Sequence, residues 1–113
     1  MKRLGEVRSL AVYDGAQRLR NIVSEADFHA YVTDLLDVGQ LLWHHETDSR
    51  RSPKGFPDIV AVRGGRLLFA ELKTETGKLT PAQREWLWGL AEAGVEVFVW
   101  RPSNWRQAVQ VLR

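Results

Sequence analysis

The segment Asp58-Ile59-Val60-Ala61-Val62-Arg63-Gly64-Gly65-Arg66-Leu67-Leu68-Phe69-Ala70-Glu71-Leu72-Lys73 decides the fold. Two apolar runs, residues 58–62 and 67–72, flank Arg63-Gly64-Gly65-Arg66, whose central glycines both tolerate positive φ. A two-residue loop of this kind joins antiparallel strands with the correct twist, so the segment is expected as a β-hairpin. With the glycines at the turn, Arg63 faces Arg66, and each step back along one strand matches a step forward along the other. Asp58 then lands opposite Glu71.

Directly opposed residues share a face, with Cβ atoms about 4.5 to 5.5 Å apart. Two carboxylates at that spacing can close around one Mg²⁺, an oxygen-only octahedral site. Lys73 lies two residues beyond Glu71, so the period of two puts its ammonium on the same face, where it can orient or activate an attacking water. Val60, Val62, Leu67 and Phe69 share this face, while Ile59, Ala61, Leu68, Ala70 and Leu72 fill the other. Both faces are therefore expected to be buried. Charges on a doubly covered strand pair are costly unless a metal or a solvent cleft compensates them, which marks a site. The plainer alternative is a strand-end charge pair, balanced by Lys73 where the sheet frays.

Working outward, Ser24 with Asp27 three positions on starts a helix carrying Phe28, Tyr31, Val32, Leu35 and Leu36 at helical spacing, and Gly39 stops it. Residues 41–45 read as a strand and 48–55 as a loop. Thr80-Pro81-Ala82-Gln83 is a second capping box, opening a helix through Trp86, Leu87, Leu90 and Ala91 to Gly94. Residues 95–100 form another strand. Pro102 ends it, and Asn104 is placed to cap a short terminal helix with Ala108, Val109 and Leu112. The expected order is α-β-β-β-α-β-α. Residues 1–20 show no clean periodicity and stay an unassigned arm.

At 113 residues the chain is expected to be one domain with one core, and 44% hydrophobic and 10% aromatic residues are those of a folded chain. It has no cysteine, which excludes disulfides, thiolate zinc sites and cysteine nucleophiles and leaves carboxylates and histidines as metal ligands. A formal charge of +2 is modest, but Arg50, Arg51 and Lys54 crowd one loop. No apolar run approaches the roughly 18 to 20 residues that span a bilayer, and the basic start lacks a secretion signal's apolar stretch. A cytoplasmic protein with no membrane partner is the expectation.

Several further residues admit two readings. Glu25 extends the buried stripe of the first helix and can supply a carboxylate, or it simply complements the helix dipole. Gln83 is explained by its capping box, or it also supports the site. Ser49, Arg50, Arg51, Ser52 and Lys54 lead into Asp58 and can hold a phosphate, or they form a solvated loop. His44 and His45 are adjacent on a strand and point opposite ways, so the two do not readily chelate one ion; a structural or DNA-contacting role is expected.

In order and spacing, Pro57-Asp58 and Glu71-Leu72-Lys73 after the helical Glu25 resemble the PD-(D/E)XK nuclease motif. More narrowly, Ser-Arg-Arg-Ser (49–52), Gly-Phe-Pro-Asp (55–58), Glu-Leu-Lys-Thr (71–74), Gln83-Arg84-Glu85-Trp86 and Trp100-Arg101-Pro102 resemble a stand-alone VRR-NUC domain of the phage and bacterial type, with the nuclease domain over residues 21–113. The resemblance implies an α/β, restriction-endonuclease-like three-layer core in αβββαβ order, a mixed central sheet flanked by helices, plus the short C-terminal helix. It also implies Mg²⁺ or Mn²⁺ held by Asp58, Glu71 and the Leu72 carbonyl, with water attack on a phosphodiester assisted by Lys73. Glu25 would orient the ion through water or bind it directly. By analogy with Holliday junction resolvases, a homodimer cutting branched DNA in a bacterial or phage-infected cell is expected. A less selective nuclease or nickase, or a non-catalytic DNA-binding module, are the alternatives.

Overall fold

The computed structural model describes residues 24–46 and 54–113; the arm and Ser49, Arg50, Arg51 and Ser52 lie outside the described residues. The elements follow the expected order. They are helix α1 (Glu25–Val38), strands β1 (Leu42–His45), β2 (Ile59–Arg63) and β3 (Arg66–Leu72), helix α2 (Pro81–Glu92), strand β4 (Glu96–Trp100) and helix α3 (Trp105–Leu112), with a 3-10 turn at Pro102–Asn104. Among the described residues, 42–71 and 78–99 form one compact group, and 24–41, 72–77 and 100–113 another.

The first group carries most of the sheet, in the order β1-β2-β3-β4. β1 pairs antiparallel with β2, and β2 with β3, so that Leu42 faces Val62, Val62 faces Leu67 and Arg63 faces Arg66. Gly64 and Gly65 adopt φ of 56° and 81°, the primed turn expected of them. One step beyond the Ile59–Ala70 pair brings Asp58 opposite Glu71. β3 and β4 run parallel, because Arg66 meets Glu96 at their starts while the Lys73 N–H donates to the Trp100 carbonyl at their ends, 3.0 Å. The sheet is therefore mixed, and α2 supplies the crossover that a parallel pair needs.

Ile59, Ala61, Leu68 and Ala70 are buried as expected, but the other face of the hairpin departs from the expectation. Val62 is 37% exposed and Leu67 40%, with Leu42 beside them at 76%. The cover on that face is local. The Phe56 ring packs edge-on against Phe69 and Trp86, with centroids 6.0 and 5.0 Å away, and so shields the Glu71 end and leaves the turn end bare. α2 ends as its sequence suggests: Gly94 at φ 83° donates to Ala91 and Val95 donates to Leu90.

In the second group Ser24 Oγ accepts the Asp27 N–H at 3.1 Å, and Phe28, Tyr31, Val32, Leu35 and Leu36 form the buried stripe of α1. Glu25 does not extend that stripe: its side chain is 67% exposed and lies 3.8 Å from His29, one turn on. The first turn of the helix runs out beyond the apolar cover, so periodicity alone overreached there. The stop also differs in detail. Gly39 stays right-handed, and Gln40 takes the left-handed position with φ 59°. The N–H groups of Gln40 and Leu41 close the end by donating to Asp37 and Leu36. α3 packs on α1, with Leu35, Val38, Val109 and Leu112 lining a shared crevice. Asn104 precedes α3 but does not cap it; its Oδ1 instead accepts the Arg101 N–H at 2.8 Å, closing the 3-10 turn. No helix among the described residues is long and apolar enough to cross a membrane.

A left-handed glutamine is strained by its Cβ, whereas glycine is not. Gln40→Gly is expected to stabilise the fold by about 0.5 to 1 kcal/mol, read as a higher urea midpoint with unchanged slope.

Arg66 grips Glu96 with two hydrogen bonds of 2.6 and 2.7 Å, and this pairing holds the Glu96 carboxyl below the usual carboxylate range. The stabilisation is present above the unfolded-state pKa of about 4.3 and is lost as pH falls through the depressed folded value. The pair is 32% and 40% exposed, so Glu96→Gln should cost less than about 1 kcal/mol at pH 7. The gap between the urea midpoints of the two proteins should close as the buffer is taken below about pH 4.

Candidate active site

The chain is pinned before it reaches Asp58. Gly55 has φ of 81°, and a Cβ there would sit 2.4 Å from the Ala82 carbonyl carbon and 2.6 Å from the Gln83 nitrogen, so only glycine can lie this close to the first turn of α2. Phe56 then wedges between Phe69 and Trp86, and Pro57 is fully buried. The Asp58 carbonyl accepts the Glu46 N–H at 2.8 Å, extending the β1–β2 ladder. Its own N–H donates to Glu71 Oε1 at 3.3 Å. The two acids are thus brought together through a main-chain donor of one and the carboxylate of the other.

Glu71 is 3% exposed, the buried charged residue of the described core. Its second oxygen accepts a hydrogen bond from Gln83 Nε2 at 2.9 Å. Gln83 also completes the capping box. Its Oε1 accepts the Thr80 N–H at 2.9 Å, and its own N–H donates to Thr80 Oγ1 at 3.1 Å. Gln83 thus completes its capping box and also meets Glu71. With the amide oxygen taken by the cap, the NH₂ end is left facing Glu71, so the cap fixes which way the amide points.

Neither of these donors carries charge, so they orient the Glu71 carboxylate without neutralising it. Carboxylates are hard oxygen donors of the kind that suit a divalent cation such as Mg²⁺ or Mn²⁺.

Leu72 ends β3 and is buried; Lys73 follows, half-buried, with its N–H bound to the Trp100 carbonyl. The chain beyond Lys73 is held by Arg101, which entered the sequence reading only as part of Trp100-Arg101-Pro102. Arg101 Nη1 donates to the carbonyls of Thr74 and Gly77 at 2.7 and 2.6 Å, with a longer contact to Glu75 at 3.4 Å. The Gly77 N–H turns back to Thr74 Oγ1 at 3.0 Å. The signal available in the sequence was Arg101 itself, set between a strand and Pro102.

Among the other candidates, Lys54 is exposed and lines an open cleft of about 440 Å³ with Ala82, Trp86 and Leu90. His44 is 69% exposed and 3.7 Å from Glu46, while His45 is half-buried with a ring nitrogen within 4.8 Å of an Asp58 carboxylate oxygen. The adjacent histidines do diverge, and only His45 approaches an expected ligand. The signal for it lay in the β1–β2 register, which a long intervening loop leaves undetermined in the sequence.

Comparison with known proteins bears on this arrangement. The family model described as the VRR-NUC domain matches residues 17–104. A solved structure described as a VRR_NUC domain protein superposes with a TM-score of 0.58 at 20% identity, covering 80% of this chain and 85% of that one, which shows a shared fold. No curated protein matches at a significant level. With the family model spanning most of its length, the chain belongs to the VRR-NUC domain family of the PD-(D/E)XK nuclease superfamily, a nuclease-type domain.

Proposed function

We propose that this protein is a Mg²⁺-dependent endodeoxyribonuclease, also active with Mn²⁺, which hydrolyses phosphodiester bonds in branched DNA as a homodimer in the cytoplasm. The observation that carries the reading is Glu71, a buried carboxylate fixed by the Asp58 N–H and by Gln83 on a chain with the Asp and Glu-x-Lys pattern of the family.

Asp58, Glu71 and the Leu72 carbonyl hold the ion, which supplies Lewis acidity and neutralises charge on the phosphate. Lys73 offers its ammonium to the attacking water and to the charge that develops on the phosphate oxygens. Gln83 positions Glu71. Glu25, exposed in the first turn of α1, joins the site through water or as a direct ligand. Ser49, Arg50, Arg51, Ser52 and Lys54 hold the phosphate backbone. One site per chain needs two copies to cut two strands symmetrically, which supports the homodimer.

Labelled four-way junctions, flaps and linear duplexes, incubated with Mg²⁺ or with EDTA, test this reading. Symmetric junction cleavage that requires metal is expected from a species eluting as a dimer on a sizing column. Equal cutting of linear duplex would instead make it a less selective nuclease. Asp58→Ala and Glu71→Ala should each lose at least about a hundredfold in rate while keeping the wild-type circular dichroism spectrum and DNA binding. Wild-type cleavage by Asp58→Ala would sink the catalytic assignment.

Gln83→Glu separates cap from site. A glutamate at the third helical position caps as well as glutamine, so any fall in melting temperature comes from the lost donor to the buried Glu71 and not from the cap. With that donor gone and a like charge set against Glu71, the cleavage rate should fall about tenfold or more. An unchanged rate would leave Gln83 as a cap alone.

A further inference from the structure

His45 is a candidate ligand whose placement the nuclease reading does not use. Strand alternation turns His44 outward and His45 inward, and the register pairs His45 with Ile59, one step from Asp58. The next rung, the Glu46 N–H on the Asp58 carbonyl at 2.8 Å, ties the two backbones together at that point. A His45 ring nitrogen and an Asp58 carboxylate oxygen lie within 4.8 Å of one another at this strand end. Two donor atoms within that distance can share one divalent cation after a small side-chain adjustment.

We propose that His45 supplies a nitrogen ligand to the divalent ion held by Asp58, converting the oxygen site into a mixed oxygen and nitrogen one. The inference rests on the reading of Asp58 as a metal ligand. Mg²⁺ is satisfied by oxygen donors and retains its waters, whereas imidazole gains more with first-row transition ions. His45 therefore tilts the preference of the site away from Mg²⁺ and towards Mn²⁺ and its heavier neighbours.

Mn²⁺ bound to the full chain provides a readout independent of cleavage. Loss of the free-ion electron paramagnetic resonance signal gives the affinity, and the electron spin-echo of bound Mn²⁺ reports directly coordinated nitrogen. Wild-type protein should show nitrogen modulation that changes when the histidines are ¹⁵N-labelled, a test that needs no substitution. His45→Gln should abolish the modulation and weaken Mn²⁺ binding about tenfold or more, with a smaller loss for Mg²⁺ measured by competition. His44→Gln should match wild type. If His45→Gln fails to fold, His45→Asn replaces it.

Mn²⁺ binding that depends on Asp58 but shows no histidine nitrogen, or keeps it in the His45 variant, overturns the inference and leaves the nuclease reading standing. Wild-type Mn²⁺ affinity in Asp58→Ala overturns both.

Discussion

A carboxylate at position 71 that is almost sealed from water must be held by donors, because burying it without them would cost more than the fold can spare. The donors come from two other segments, the N–H of Asp58 at the entry to β2 and the amide of Gln83 in the first turn of α2. One side chain thereby fixes the relative placement of three stretches far apart in sequence. Both of these donors are neutral, and together they fix the direction in which the carboxylate points.

That arrangement depends on residues with no chemistry of their own. Gly55 allows the chain to touch the first turn of α2, and a methyl group there would collide with main-chain atoms that cannot move aside. Phe56 fills the space between Phe69 and Trp86, and Pro57 stiffens the approach. Asp58 thus enters β2 from a fixed direction. The direction of Asp58 is therefore set by packing just upstream of it.

Much of this was legible before any coordinates. Gly64-Gly65 set the hairpin register because both positions need positive φ, and the register alone brings Asp58 to Glu71. The capping box and Gly94 bounded α2 through local chemistry, and the α1 stripe followed from helical spacing. The failures arose where tertiary context decides. Periodicity could not say that the cover over α1 stops before Glu25, nor that Phe56 shields only one end of the Val62 and Leu67 face. Gln40 took a position that propensity would give to Gly39, because the helix ran one residue further than the glycine suggested. His45 was illegible because the pairing of β1 with β2 is set across the long loop that carries the basic residues, and no turn chemistry there fixes a register.

Arg101 gives a physical reason for a motif that sequence reading could only quote. Lys73 leaves β3 with its N–H on the Trp100 carbonyl, and Arg101, the residue just past the end of β4, reaches back over the loop that follows Lys73. Both bonds come from one terminal nitrogen, Nη1, whose two N–H groups are fixed in the guanidinium plane, so one Arg101 draws the Thr74 and Gly77 carbonyls towards a common point and sets the curvature between them. A lysine ammonium at the same place would be a flexible point charge with no such geometric demand. The loop is further cross-linked by the Gly77 N–H on Thr74 and by the Ser103 N–H on the Glu75 carboxylate. Lys73 is therefore bounded on one side by the end of β3 and on the other by a turn whose shape a single arginine imposes. The residue after the last strand thereby constrains the course of the chain that follows Lys73.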